Sequence, residues 1–299
     1  MMKANKAIGH LACFVAYAIF GVNIIVCKDL TSSHLISPIA LFTLRSVGAG
    51  LLFWIISFFM PREKVEWRNH PQILAASILG FLLTQLTFLI AIPSITPLDC
   101  SITSAMSPIY TMIIAAIVLR EPITWQKAGG VILSFAGVIF LLLNSVSAGG
   151  ATHTTTVGLL LMILNSICFS LYLGIFKPVI ARYSVVTFMK WIFLYSTIMS
   201  LPLSAKELVT LDYVALPGNI VAELAFLILC STFITYFLIP VGQKRIRPTL
   251  VSMYSYVQPI IATGISIYLG MDTLGWQKVL AAVAVFAGVM VVSRSKAKE

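Results

Sequence analysis

The sequence predicts an all-α membrane protein of ten transmembrane helices, arranged as two inverted five-helix repeats. Three observations lead there: an apolar composition spread along the whole chain, a one-sided distribution of basic residues, and an internal duplication. Of the 299 residues, 59% are hydrophobic and only 10% charged, with a mean hydropathy of +0.99. A soluble domain carries roughly 25% charged residues because its surface must face water. Lipid is therefore the expected solvent for most of this chain.

A helix needs about 20 mostly apolar residues to cross a hydrocarbon core of about 30 Å. On that criterion spans fall near 7–28, 37–60, 71–92, 97–118, 126–143, 156–176, 184–203, 219–240, 248–269 and 276–293. Turn residues and charges separate them, as at Pro61–His70, Pro93–Pro97, Arg120–Pro122 and Asp212–Gly218. No small-residue cleavage signature follows the first apolar stretch, which is expected to be retained as a helix. Strand-like alternation is absent, which disfavours an outer-membrane barrel.

Lys and Arg mark the cytoplasmic side of a membrane protein. With the N-terminus inside, 15 of the 20 basic residues fall in inside segments and three (Lys28, Lys206 and Lys278) in outside segments, while Arg45 and Lys190 lie within spans. Both termini are therefore expected on the cytoplasmic face of a cell (inner) membrane. The formal net charge of +10 follows from this topology, and no nucleic-acid partner is expected. The five cysteines show no CxxC spacing and sit in or at the ends of apolar runs, as packing residues do.

A shift of 151 positions superimposes rare residues of the two halves. Pro108 falls on Pro259, Trp125-Gln126-Lys127 on Trp276-Gln277-Lys278, and Phe135-Ala136-Gly137-Val138 on Phe286-Ala287-Gly288-Val289. Thr84, Pro97, Ser101 and Ser104 fall on Thr235, Pro248, Ser252 and Ser255, and a shift of 149 pairs Phe20 with Phe169 and Lys28 with Lys177. The halves divide at 1–148 and 149–299, with five spans each. An odd number of spans inverts the second half relative to the first, the architecture associated with alternating access.

These stretches resemble the drug/metabolite transporter superfamily, in particular its ten-span EamA-like branch. The resembling residues are Phe20-Gly21-Val22-Asn23 leading to Lys28, Arg45, Ser104-Ala105-Met106-Ser107-Pro108, Leu119-Arg120-Glu121-Pro122 followed by Trp125, and the two Phe-Ala-Gly-Val segments. The chain departs from the pattern at Met271-Asp272-Thr273, where the first half has Arg120-Glu121-Pro122, and at Phe20, where many relatives have Trp. The resemblance implies export or exchange of a small metabolite, amino acid or drug through a central cavity. It also implies that the fifth and tenth spans pack at the periphery, where Gly130 with Ser134 and Ala284 with Gly288 suit close packing.

Ionisable groups inside spans are costly and become functional candidates by default. Arg45 is expected either to neutralise a substrate anion or to lock two helices together. Lys190 is expected to snorkel, and Lys28 and Lys177 to anchor helix ends. Asp99 and Glu223 read as helix-start acids wetted by solvent, and His10, His34, His70 and His153 as solvated residues. The substrate-binding candidates are Asn23, Arg45, Gln85, Ser104 and Ser107 in the first half. Asn165, Tyr172, Tyr236, Tyr256 and Gln258 complete them in the second, because buried amides and hydroxyls need partners that a solute or water supplies.

No GxxxxGK[ST] stretch or HExxH motif occurs, so neither ATP-driven transport by this chain nor membrane-embedded catalysis is expected, and no cofactor is called for. The expected activity is secondary transport of a small organic solute, by a monomer or homodimer in the bilayer. A passive channel or structural membrane subunit is the alternative.

Overall fold

The computed structural model describes residues 2–119, 124–147, 154–213, 215–270 and 275–294, and no strand occurs among them. The turns at Arg120–Pro122 and Met271–Thr273, together with His153, lie outside the described residues. The helices in chain order are α1 (Met2–Ser32), α2 (Pro38–Phe58), α3 (Trp67–Ser94), α4 (Pro97–Ser104), α5 (Ser107–Leu119), α6 (Trp125–Ser147) and α7 (Thr156–Ile175). They continue as α8 (Lys177–Arg182), α9 (Val185–Thr210), α10 (Gly218–Arg245), α11 (Pro248–Met253), α12 (Val257–Tyr268) and α13 (Trp276–Arg294). Seven helices of the described residues are long and apolar enough to cross a membrane: α1, α2, α3, α7, α9, α10 and the stretch Leu250–Tyr268.

Several helices outrun the predicted spans. α9 continues to Thr210 with Pro202 inside it, and α10 to Arg245 with Pro240 inside it. Proline is tolerated within membrane helices because neighbouring groups satisfy the carbonyl it frees. Both α3 and α10 contain a wider π-helical turn, at Ile78–Leu83 and Leu227–Ile234. Each turn leaves a carbonyl without its regular partner, and a threonine five residues on donates to it: Thr84 to Leu79 and Thr232 to Leu227.

Proline interrupts helical hydrogen bonding, so the repeat-related Pro108 and Pro259 on their own would put breaks in corresponding spans at those residues. The breaks fall just before them, at Ala105–Met106 and at the tight turn Tyr254–Tyr256. Pro108 and Pro259 instead occupy the opening turns of α5 and α12, where the missing N–H is no loss.

Packing follows a reciprocal plan. α1 lies against α10 and α12, while α7 lies against α3 and α5. α2 runs antiparallel to α9, and each helix start is capped by a carboxylate beyond or near the other's end. Ser37 donates its backbone N–H and its hydroxyl to Glu207, at 2.8 and 2.5 Å. Ser184 donates its backbone N–H to Glu63 at 2.9 Å. α6 and α13 pair closely through the small residues noted in the sequence. Ser134 donates to the Val285 carbonyl at 3.1 Å, and a Cβ on Gly288 would collide with the Gly130 carbonyl and Ser134.

The lysines expected to anchor helix ends do so. Lys28 donates to the carbonyls of Ile92, Pro93 and Ile95, and Lys177 to that of Ile246. Lys190 reaches Ser57 at 2.8 Å and lies over the Trp54 ring. Four expectations are corrected. Asp99 does open a helix, but it is 1% exposed rather than wetted, accepting from Thr154 and lying 3.6 Å from Lys278. Glu223 has one carboxylate oxygen buried without a partner. His10 and His70 are half-buried, hydrogen-bonded to Tyr254 at 2.7 Å and Tyr195 at 2.6 Å. In each case a neighbouring helix covers a residue that linear sequence places at an end.

Candidate functional site

A cavity of about 60 Å³ lies between α1, α3, α7, α10 and the broken helices α4–α5 and α11–α12. That is room for a few waters, at about 10–15 Å³ each. The two breaks bring Ser104 and Ser107 from one side and Ser255 and Gln258 from the other. A helix that stops at mid-depth is tolerated where its irregular backbone borders a cavity.

Of the sequence candidates, Asn23, Gln85, Ser104, Ser107, Asn165, Tyr236 and Gln258 line this cavity. Three others lie away from it. Tyr172 is buried with its ring against Gly80, where any Cβ would clash with it, and its hydroxyl has no partner. Tyr256 packs edge-on against Phe286 of α13. Arg45 is fully buried behind the lining. Its Nε donates to Thr232 at 2.8 Å and one terminal nitrogen to Ser231 at 3.3 Å, both on the π-helical turn of α10. No carboxylate lies within ion-pair distance of it among the described residues.

The sequence candidates left out the aromatic share of the wall: Tyr17, Phe20, Phe88 and Phe169, with Met162. A signal for two of these was present, because Phe20 and Phe169 are superimposed by the internal shift. The same holds for much of the polar wall. Ser104 and Ser255, Ser107 and Gln258, and Gln85 and Tyr236 are each related by 151 positions, and all six line the cavity. Gln85 and Tyr236 touch: the amide nitrogen of Gln85 donates to the Tyr236 hydroxyl at 2.9 Å.

The ends of the bundle are tied by charged groups. At one end Asp99 meets Lys278, and Lys28 holds the loop between α3 and α4. At the other, Arg182 donates to Asn69 at 3.3 Å and Lys244 to the Tyr183 carbonyl. There Glu63 loses some solvation, which raises its pKa, but hydrogen bonds from Ser184 and the Thr187 hydroxyl, with the nearby Lys244 charge, together outweigh this and hold its carboxyl below the usual range.

The chain matches the EamA-like transporter family over residues 7–143 and again over 156–294. It belongs to that family. A protein of Archaeoglobus fulgidus described as an uncharacterized transporter is 23% identical over 265 residues, covering 89% of this chain and 92% of its own length. A protein of Rickettsia prowazekii described as an S-adenosylmethionine uptake transporter is 24% identical. That match covers 65% of this chain and 62% of the relative. A crystal structure with 16% sequence identity superposes with a TM-score of 0.66, over 97% of this chain and 98% of the other. It shows a shared fold. The EamA member is thus a multi-pass membrane transporter built from apolar helices.

Proposed function

We propose that this EamA-family chain is a ten-span secondary transporter whose halves, residues 1–148 and 149–299, are inverted repeats. It moves a small organic metabolite across the cell membrane by alternating access through the cavity described above. Seven spans are the long apolar helices; α4–α5, α6 and α13 supply the other three, with α8 a short connector. One observation carries the reading: residues 151 positions apart converge on a single cavity, and Gln85 and Tyr236 meet there. Two-fold-related residues touch only near the axis that relates them.

The contacts away from the cavity support the same symmetry. Lys28 binds the Ile95 carbonyl and Lys177 that of Ile246, and each carbonyl precedes the first turn of a broken span. The reciprocal caps of α2 and α9 exchange roles under the same operation. Because the cavity is far too small for a metabolite, solute entry requires the broken spans to move apart. Their tight turns are the natural hinges, since few regular hydrogen bonds cross them.

In this reading Arg182, Lys244 and both termini face the cytoplasm, a side supported by the one-sided distribution of basic residues, with export as the expected direction. Impermeant maleimide on intact cells should label His34→Cys and spare Arg182→Cys, which occupies the repeat-related loop of the second half. Labelling of both from one side would overturn the inverted arrangement. Counterflow of a bound solute in proteoliposomes tests the carrier itself: flux that never saturates would mean a channel.

A further inference from the structure

The polarity of the cavity wall follows from the directions of its hydrogen bonds. Arg45 can only donate, so the Ser231 hydroxyl accepts from it, and Asn23 Oδ1 accepts in turn from the Ser231 hydroxyl and, at 3.5 Å, from the Cys27 thiol. The Asn23 amide is therefore turned with its NH₂ toward the cavity, and nothing in the protein accepts from that group among the described residues. Backbone carbonyls can only accept. Asn165 therefore gives its NH₂ to the Thr84 carbonyl and leaves Oδ1 unused. Tyr236 donates to the Gly80 carbonyl at 3.3 Å, so its hydroxyl accepts from the Gln85 NH₂, and Gln85 Oε1 remains buried without a partner.

The wall thus offers one oriented donor and two oriented acceptors. Asn23 and Gln85 are 4% and 6% exposed, so bulk water satisfies neither cheaply. Aromatic faces from Phe20, Phe169 and Tyr17 flank these groups. No residue lining the cavity is charged, and the nearby cation, Arg45, is walled off behind Ser231 and Asn23. A charged solute would be desolvated here with nothing to balance it.

We propose that the solute held between these walls, once the broken spans have parted, is net-uncharged and planar, with an amide- or lactam-like group. Its carbonyl accepts from the Asn23 NH₂, and its N–H groups donate to Gln85 Oε1 and Asn165 Oδ1. This rests on the transport reading above, since it takes the cavity as the carrier's binding site. Arg45 is then a positioning residue, acting through Ser231 to set the direction of the Asn23 amide.

The test is binding of a matched triad to the purified full chain in detergent, read by thermal stabilisation. Benzamide, benzoate and benzamidinium share one ring and one shape and differ in charge. Benzamide should raise the melting midpoint, with the two ions weaker by about tenfold or more, the minimum for an unbalanced charge costing about 1.4 kcal/mol. Asn23→Leu should abolish benzamide stabilisation. Asn165→Asp should reverse the preference toward benzamidinium, a change that damage to the fold does not produce.

Failure of benzamide to stabilise, or equal stabilisation by either ion, overturns the proposal. So does binding of S-adenosylmethionine, a sulfonium cation. Benzamide binding without counterflow in proteoliposomes would leave the site chemistry standing and overturn the transport reading instead.

Discussion

Replacing Arg45 by methionine separates two kinds of buried charge. The substitution removes two charge-assisted hydrogen bonds to hydroxyls, Thr232 at 2.8 Å and Ser231 at 3.3 Å, each worth about 1.5–3 kcal/mol, and a weaker one to Cys27 Sγ at 3.8 Å. It also removes a cation from the membrane interior, which returns about 2.5–3.5 kcal/mol on insertion scales. The two hydroxyls left behind are not stranded, because Ser231 still donates to Asn23 and Thr232 to the Leu227 carbonyl. The net destabilisation should lie between about −0.5 and 3.5 kcal/mol by this difference.

Arg45→Met is therefore expected to purify as a folded protein with a modestly lowered melting midpoint. Its Ser231 hydroxyl can now either donate to Asn23 or accept from it, so the Asn23 amide is held less firmly in one orientation and benzamide stabilisation falls. Thermal melts with and without benzamide read both effects. Removing one partner of a buried ion pair costs about 3–5 kcal/mol and strands a charge. Loss of all folded protein would thus mean that Arg45 faces an anion, and would refute this account of it. Lysine at the same position keeps the charge but loses the forked geometry that reaches two hydroxyls, and should not restore the benzamide response.

Other expectations concern the scaffold. Because the Glu63 carboxyl is held below its usual pKa, its contribution is fully present above the unfolded value of about 4.3 and is lost as pH falls through the folded one. Melts of Glu63→Gln should accordingly lose part of the wild-type decline on acidification below about pH 5. Gly288→Leu forces α6 and α13 apart at the Gly130 carbonyl and should cost about 1–3 kcal/mol by overpacking. Because the pair lies away from the cavity, benzamide stabilisation should survive it; its loss would show that α6 and α13 position the wall. Ser37→Ala removes a helix cap that also binds Glu207 and should lower stability by about 1 kcal/mol in denaturant titration.

Much of this site was legible in the sequence, because duplication leaves rare residues in register. Pro108 with Pro259, and Ser104 with Ser255, announced the broken spans and their polar wall. Helix ends were less legible, since hydropathy registers where lipid stops and not where backbone hydrogen bonding stops; α9 runs past Pro202 for that reason. The position of Arg45 relative to the cavity was illegible. Span depth is set by sequence, whereas the facing direction is set by the π-helical turn of α10 that presents Ser231 and Thr232. Tyr172 and Tyr256 were read as cavity residues from polarity alone, but their rings are held by Gly80 and Phe286. Asp99 looked like a solvated helix start because its partners, Thr154 and Lys278, are 55 and 179 positions away in the chain.

The reciprocal caps joining α2 and α9 have a mechanical consequence. α2 has 21 residues, about 32 Å of helix at 1.5 Å per residue, close to the roughly 30 Å of a bilayer's hydrocarbon core. Each end of the pair is tied to a carboxylate that must stay in contact with water, Glu207 at one interface and Glu63 at the other. The pair therefore gauges membrane thickness: a thinner bilayer tilts it, and a thicker one draws the headgroups inward around both acids. Lipid chain length should then bias the bundle through this antiparallel strut, at a distance from the cavity and without touching the solute.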